Sequence, residues 1–165
     1  MTCRICGHET KSTTQDYRYR ESGLNNIILK DIEVRTCPKC KTQYPVIVNL
    51  DDLLTTIAGG LIAKPFPLNG PEIRFLRHYL GLDLQGFAKL LGTDHTTISK
   101  WENNKRKPGP QSDRLIRVVT YQKDERLRKT TNWVVDYLMS IAAKPKAVTA
   151  TVDPQRGTTK WAKAA

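Results

Sequence analysis

Between Pro71 and Val119 apolar residues recur at spacings of three and four, the pattern of helices that each bury one face. Ile73, Leu76 and Leu80 predict a first helix over 71–80, with Pro71 early and Gly81 as its stop. Leu84, Phe87, Ala88 and Leu91 predict a second from Asp83 to Leu91, which Gly92 ends; the small Ala88 lets the next helix cross closely. A third, capped by Thr93 or Asp94 and ending near Asn103, turns Ile98 and Trp101 inward. A fourth spans 111–119, with Ser112 and Asp113 at its favourable N-terminal end. Beyond it, Leu127, Val134, Leu138 and Ile141 share a stripe on a helix over 124–143, with Trp133 and Tyr137 beside it. That stripe is either the last wall of the core or a dimer surface.

Upstream the pattern changes. Strand-like stretches at 28–36, with alternation at Ile32 and Val34, and at 44–48 lie between the turn signals Ser22-Gly23 and Cys37-Pro38. A helix over 50–62 follows, with Asn49 as N-cap and an apolar face including Leu53, Leu54, Ile57 and Leu61; Gly59-Gly60 weakens its last turn. The prolines at 65, 67 and 71 favour an extended connector. From Lys144 the chain is rich in Ala, Thr, Lys and Pro and reads as a flexible tail. The expectation is therefore an α+β protein: a small zinc-ribbon-like module over 1–64, a linker at 65–70, an all-α helix-turn-helix domain over 71–143, and a tail over 144–165.

Cys3-x2-Cys6 and Cys37-x2-Cys40 hold every cysteine in the chain. A two-residue spacer lets both sulfurs of a tight turn face one point, and two such turns supply four thiolates to a tetrahedral Zn²⁺ at about 2.3 Å. One structural zinc is the expected cofactor, because four thiolates leave no open position for catalysis. Rubredoxin-like iron, a redox-active pair and two disulfides are the alternatives. Gly7 and Lys39 are expected where the turns need a permissive backbone, and His8 is a competing ligand.

Charge then separates the two halves. The formal net charge is +11, and residues 69–123 carry 10 basic against 5 acidic side chains. With the −2 of a four-thiolate zinc centre, residues 1–68 (9 basic, 7 acidic) become neutral, so the basic surface lies downstream. A polyanionic partner follows. No apolar run is long enough to span a bilayer, and the first residues lack the apolar core of a secretory signal, so the chain reads as cytoplasmic and nucleoid-associated. On the third helix, inward Ile98 and Trp101 leave His95, Thr96, Thr97 and Lys100 for base edges. Arg77, Lys89, Ser99, Asn103, Lys105, Arg106 and Lys107 are placed to hold phosphates. Nothing resembles the nucleophile, base and cleft of an enzyme.

The segment from Glu72 to Val119, EIRFLRHYLGLDLQGFAKLLGTDHTTISKWENNKRKPGP within it, resembles the Xre/Cro helix-turn-helix repressors. Joined to the paired CxxC module, the chain resembles the MqsA antitoxins, or YgiT-type zinc-finger regulators. That resemblance implies a homodimer repressing its own operon at a palindromic double-stranded operator, and a zinc module able to bind a toxin protein. Thr96 stands where that family has a base-contacting Asn, and Lys100 where it has Arg, which implies a different operator. The alternatives are a solitary repressor with no toxin and an RNA-binding zinc ribbon. The two modules are expected to be independent, so that losing zinc unfolds only the first.

Overall fold

A computed structural model describes residues 1–130 and 148–163. Its strands are β1 (Lys11–Arg18), β2 (Ile27–Thr36), β3 (Gln43–Pro45), β4 (Val148–Asp153) and β5 (Thr158–Lys163). Its helices are α1 (Leu50–Ile62), α2 (Gly70–Tyr79), α3 (Leu84–Leu90), α4 (His95–Glu102), α5 (Pro110–Lys123) and α6 (Glu125–Thr130). The fold is α+β: a strand-rich sheet with the cysteines at one end, and a helical unit joined to it through α1.

The sheet order is β1-β2-β4-β5, with β3 also paired to β2. β2 is its centre. Ile27 and Leu29 are buried on odd positions, yet Ile32 and Val34 are buried on even ones. A bulge reconciles them: Gln15 pairs with Ile32 but Tyr17 with Leu29, and Asp31 takes φ +50. One extra residue in β2 returns the apolar side chains to a single face. Asp16 fixes the bulge by pairing with the Lys30 ammonium and accepting from the Asp31 N–H.

The C-terminal segment corrects the sequence reading. Residues 148–163 are no flexible tail but a hairpin, with Val148, Ala150 and Val152 buried on alternate positions of β4. β4 runs parallel to β2 through Ile27–Ala150, Ile28–Thr151 and Leu29–Val152. The hairpin lies against α1, where Trp161 Nε1 donates to Gly60 O at 2.9 Å and Thr159 Oγ1 to Thr56 O at 3.1 Å. Gly60 permits this approach, since a Cβ there would fall 2.5 Å from Thr159 Cγ2. The expected helix over 124–143 begins as α6, with Leu127 buried; its remainder, including Val134, Leu138 and Ile141, lies outside the described residues.

α1 has the expected bounds, with the Asn49 side chain accepting from the Asp52 N–H. It belongs to two neighbourhoods at once, touching β4 and β5 on one side and α2, α5 and α6 on the other. One continuous apolar core therefore runs from Leu29 and Val34 through Ile57 and Leu61 to Ile73, Phe87 and Ile98.

The proline-rich connector is extended but not loose. Arg117, fully buried on α5, donates to the carbonyls of Leu61, Ile62, Lys64 and Phe66 at 2.7–3.2 Å and to Asp113 at 2.9 Å. Lys64 Nζ is held by Glu72 at 2.7 and 2.8 Å, and the Leu68 N–H donates to Asp113 at 2.7 Å. Buried charges persist only when paired and hydrogen-bonded. The carbonyls that Arg117 takes up lie at the end of α1 and along the proline run, where regular helical hydrogen bonding stops.

Candidate metal centre and nucleic-acid interface

The two CxxC turns are built alike. In the first, Cys3 N–H donates to His8 O at 2.8 Å and Gly7 N–H to Cys3 O at 3.0 Å; in the second, Cys37 N–H donates to Thr42 O at 2.9 Å and Lys41 N–H to Cys37 O at 3.0 Å. The fifth residue of each turn is left-handed, Gly7 at φ +71 and Lys41 at φ +60. The permissive position of the second turn is thus Lys41, not the expected Lys39.

Together the turns bring Cys3, Cys6, Cys37 and Cys40 so close that all four sulfurs lie within 4.8 Å of one another. Cys3–Cys40, Cys6–Cys37 and Cys6–Cys40 stand at 3.5, 3.4 and 3.6 Å. Four sulfurs about 2.3 Å from a central ion would stand about 3.8 Å apart, so this set fits a tetrahedral metal. No disulfide joins them. His8 is outside the cluster, its Nδ1 against Cys6 O at 2.9 Å.

The thiols influence one another. A hydrogen bond from Tyr44, aided by the N–H groups of Cys6 and Ile5, outweighs burial and brings Cys3 down to about 6. The His8 N–H lowers Cys6, but Cys37, burial, Cys40 and Cys3 raise it further, to about 12. Four thiolates this close repel unless a cation sits among them, and a divalent ion supplies that charge.

The helical unit is set by its caps. Asn69 and Glu72 form a capping box on α2, Asp83 caps α3, and Asp94 caps α4. α4 packs on α2 and α3 with Ile98 and Trp101 buried, at 0% and 6% exposure. Its other faces are open: His95, Thr96, Lys100 and Asn103 are exposed, and Thr97 and Ser99 half-buried. Exposed Lys105, Arg106 and Lys107 follow, and exposed Lys89 lies in the last turn of α3.

Four side chains are engaged in ways the sequence did not reveal. Arg77, expected on a phosphate, is 7% exposed; its guanidinium donates to Glu102 at 2.6 and 3.0 Å and to Leu82 O at 2.9 Å. It is a core ion pair and leaves the candidate interface. Thr96 and Thr97 both donate their hydroxyl protons to the Asp94 carboxylate, at 2.6 Å for Thr97. These two hydroxyls and the Thr97 N–H hold Asp94 well below the usual carboxylate range. Asn103 donates to Ser99 O at 2.8 Å and accepts from Arg74 at 3.0 Å, so its side chain helps close the end of α4. Sequence reading passed over Arg74, whose exposed guanidinium reaches Glu102 at 3.3 Å.

The helix-turn-helix family model HTH_3 matches residues 73–112, about a quarter of the chain, and spans α2 to the start of α5. Comparison with curated proteins gives no match. The match and the geometry of α2–α5 support a DNA-binding transcriptional regulator. No helix among the described residues is long and apolar enough to cross a membrane.

Proposed function

We propose that the protein represses transcription by binding a specific duplex site through α4, as a homodimer on a palindrome, with one structural zinc held by Cys3, Cys6, Cys37 and Cys40. The observation that carries this reading is the division of α4: Ile98 and Trp101 buried, Thr96 and Lys100 exposed on the same short helix. Lys100 offers donors to guanine O6 and N7, and His95 reaches a base or phosphate. Lys89, Lys105, Arg106 and Lys107 act on phosphates, fixing position rather than sequence.

Asp94 refines the readout. With their protons committed to Asp94, Thr96 and Thr97 present lone pairs and methyl groups to the groove. They are suited to the amino groups of adenine or cytosine and to the thymine methyl, not to guanine acceptors. The autorepressing antitoxin form of this function, with a toxin on the zinc module, is supported by the union of a paired CxxC module with this helix-turn-helix.

Selection from a random duplex pool tests the proposal. The expected winner is an inverted repeat with half-sites about 34 Å apart, or a multiple, bound by two chains. Its affinity should fall with salt at a log–log slope of about −0.9 per phosphate held. A pool that yields no enriched sequence would contradict the reading.

A further inference from the structure

The four clustered sulfurs come from two turns, one before β1 and one between β2 and β3. Each turn is closed by its own backbone hydrogen bonds, which place its two sulfurs relative to each other. The β1–β2 ladder brings both turns to one end of the sheet and stops there, with Lys11 opposite Thr36. Tyr44 spans the remaining gap. It stands on β3, in register with Arg35 of β2, and its half-buried side chain reaches back to the first turn, where Oη lies 3.3 Å from Cys3 Sγ. The Arg4 N–H faces the same oxygen. Thr42 is the local counterpart, its Oγ1 lying 3.2 Å from Cys40 Sγ within the second turn. Among the described residues, Tyr44 is thus the one hydroxyl that reaches a cysteine sulfur of the opposite turn.

We propose that Tyr44 is a positioning residue of the metal centre: its hydroxyl ties the two cysteine turns together and donates to the Cys3 thiolate, strengthening the hold of the site on its ion. The inference rests on the four cysteines being the ligand set. A metal-bound thiolate carries no proton, so the hydrogen of this contact belongs to Tyr44 and the sulfur accepts it. Donation to a ligand atom draws charge off the sulfur and fixes its direction, the route by which groups outside the ligand set tune a metal. A tie between the turns also lowers the ordering cost of assembling four ligands, because both halves are already in place. Thr42 has no such leverage, since its hydroxyl and the Cys40 sulfur belong to one turn.

The test compares the native full chain with Tyr44→Phe and Thr42→Val, each loaded with zinc and, separately, with cobalt. Competition with a chromophoric chelator reads zinc affinity, and the sulfur-to-cobalt charge-transfer bands read the charge on the thiolates. Tyr44→Phe, which keeps the ring, should bind zinc about ten- to a hundredfold more weakly and move the bands to longer wavelength. Thr42→Val should lose less affinity than Tyr44→Phe. Replacing Tyr44 with 4-aminophenylalanine, which keeps a donor on the ring, should restore both readings. Replacing it with 4-methoxyphenylalanine, which cannot donate, should not, and this pair carries the comparison if the Phe chain does not fold. An unchanged affinity or unchanged bands in the non-donating chain would overturn the inference: a loss of affinity without a band shift would place the effect in ring packing, not at the sulfur. A native chain that takes up neither zinc nor cobalt would sink the metal reading itself.

Discussion

At the scale of single residues, what decides a side chain's role is the partner it finds, and charge alone does not reveal that partner. Arg77 and Lys100 are both basic residues on helical segments, yet Arg77 is consumed by Glu102, 25 positions away, while Lys100 faces outward. Tyr79 shows the same dependence. Its hydroxyl bonds Asp124 and lies 3.1 Å from Thr55 Oγ1, tying α2 to the α5–α6 junction and to α1. Burial first, and then Asp124, push its phenol up to about 12 from an ordinary 10. A group whose folded-state pKa is raised stabilises fully below its unfolded value and loses that contribution as pH climbs through the folded one. Tyr79 should therefore support the fold up to about pH 10 and cease to do so between about 10 and 12. Denaturant midpoints measured across this window should fall more steeply for the native chain than for Tyr79→Phe; parallel curves would contradict the account.

At the scale of elements, α1–α4 were readable because each has an apolar period and a capping residue, whereas α5, which starts at Pro110 with no side-chain cap, was readable from its period alone and runs to Lys123, past the expected end at Val119. Asn49, Asn69, Asp83 and Asp94 all cap the helices that follow them, as their residue types suggest. The strands were harder. β1 is almost wholly exposed, so KSTTQDYR offers no apolar alternation to read. β4 alternates Val148, Ala150 and Val152, but with small side chains in an Ala- and Thr-rich stretch, and its partner β2 lies more than a hundred residues upstream. Gly60 records that pairing only in hindsight. Replacing it with Ala gains about 1 kcal/mol of helix propensity. The clash at 2.5 Å with Thr159, which Thr56 and the neighbouring Trp161 hold in place, should outweigh that gain. The expected net loss is about 1–3 kcal/mol in chemical denaturation, smaller in a Thr159→Gly background. An Ala variant as stable as the native chain would show that the hairpin does not dock as described.

At the scale of the whole molecule, the sequence suggested two independent modules on an extended connector, and the shared core revises the independence. Arg117 fastens α5 to the connector and α1, and α1 in turn packs on the hairpin. Truncating Arg117 to Ala leaves Asp113 buried without its ion-pair partner, which costs about 3–5 kcal/mol. The loss should appear equally when unfolding is followed by the sheet and by the helices; a loss confined to one would restore independence. For the same reason, chelating the metal should lower the melting temperature of the helical unit as well as the cysteine end. Retention of the native transition in α2–α5 after metal loss would show that the core does not transmit the change.

The central claim remains that α4 is the surface that reads a duplex. The most direct measurement compares native chain and Lys100→Ala on the selected operator and on random duplex, at one salt concentration. The substitution removes one exposed donor and no buried contact, so affinity for the operator should fall by about 1–3 kcal/mol while random duplex is bound almost as before. Equal losses on both duplexes, or none on either, would mean that another part of the molecule recognises the sequence.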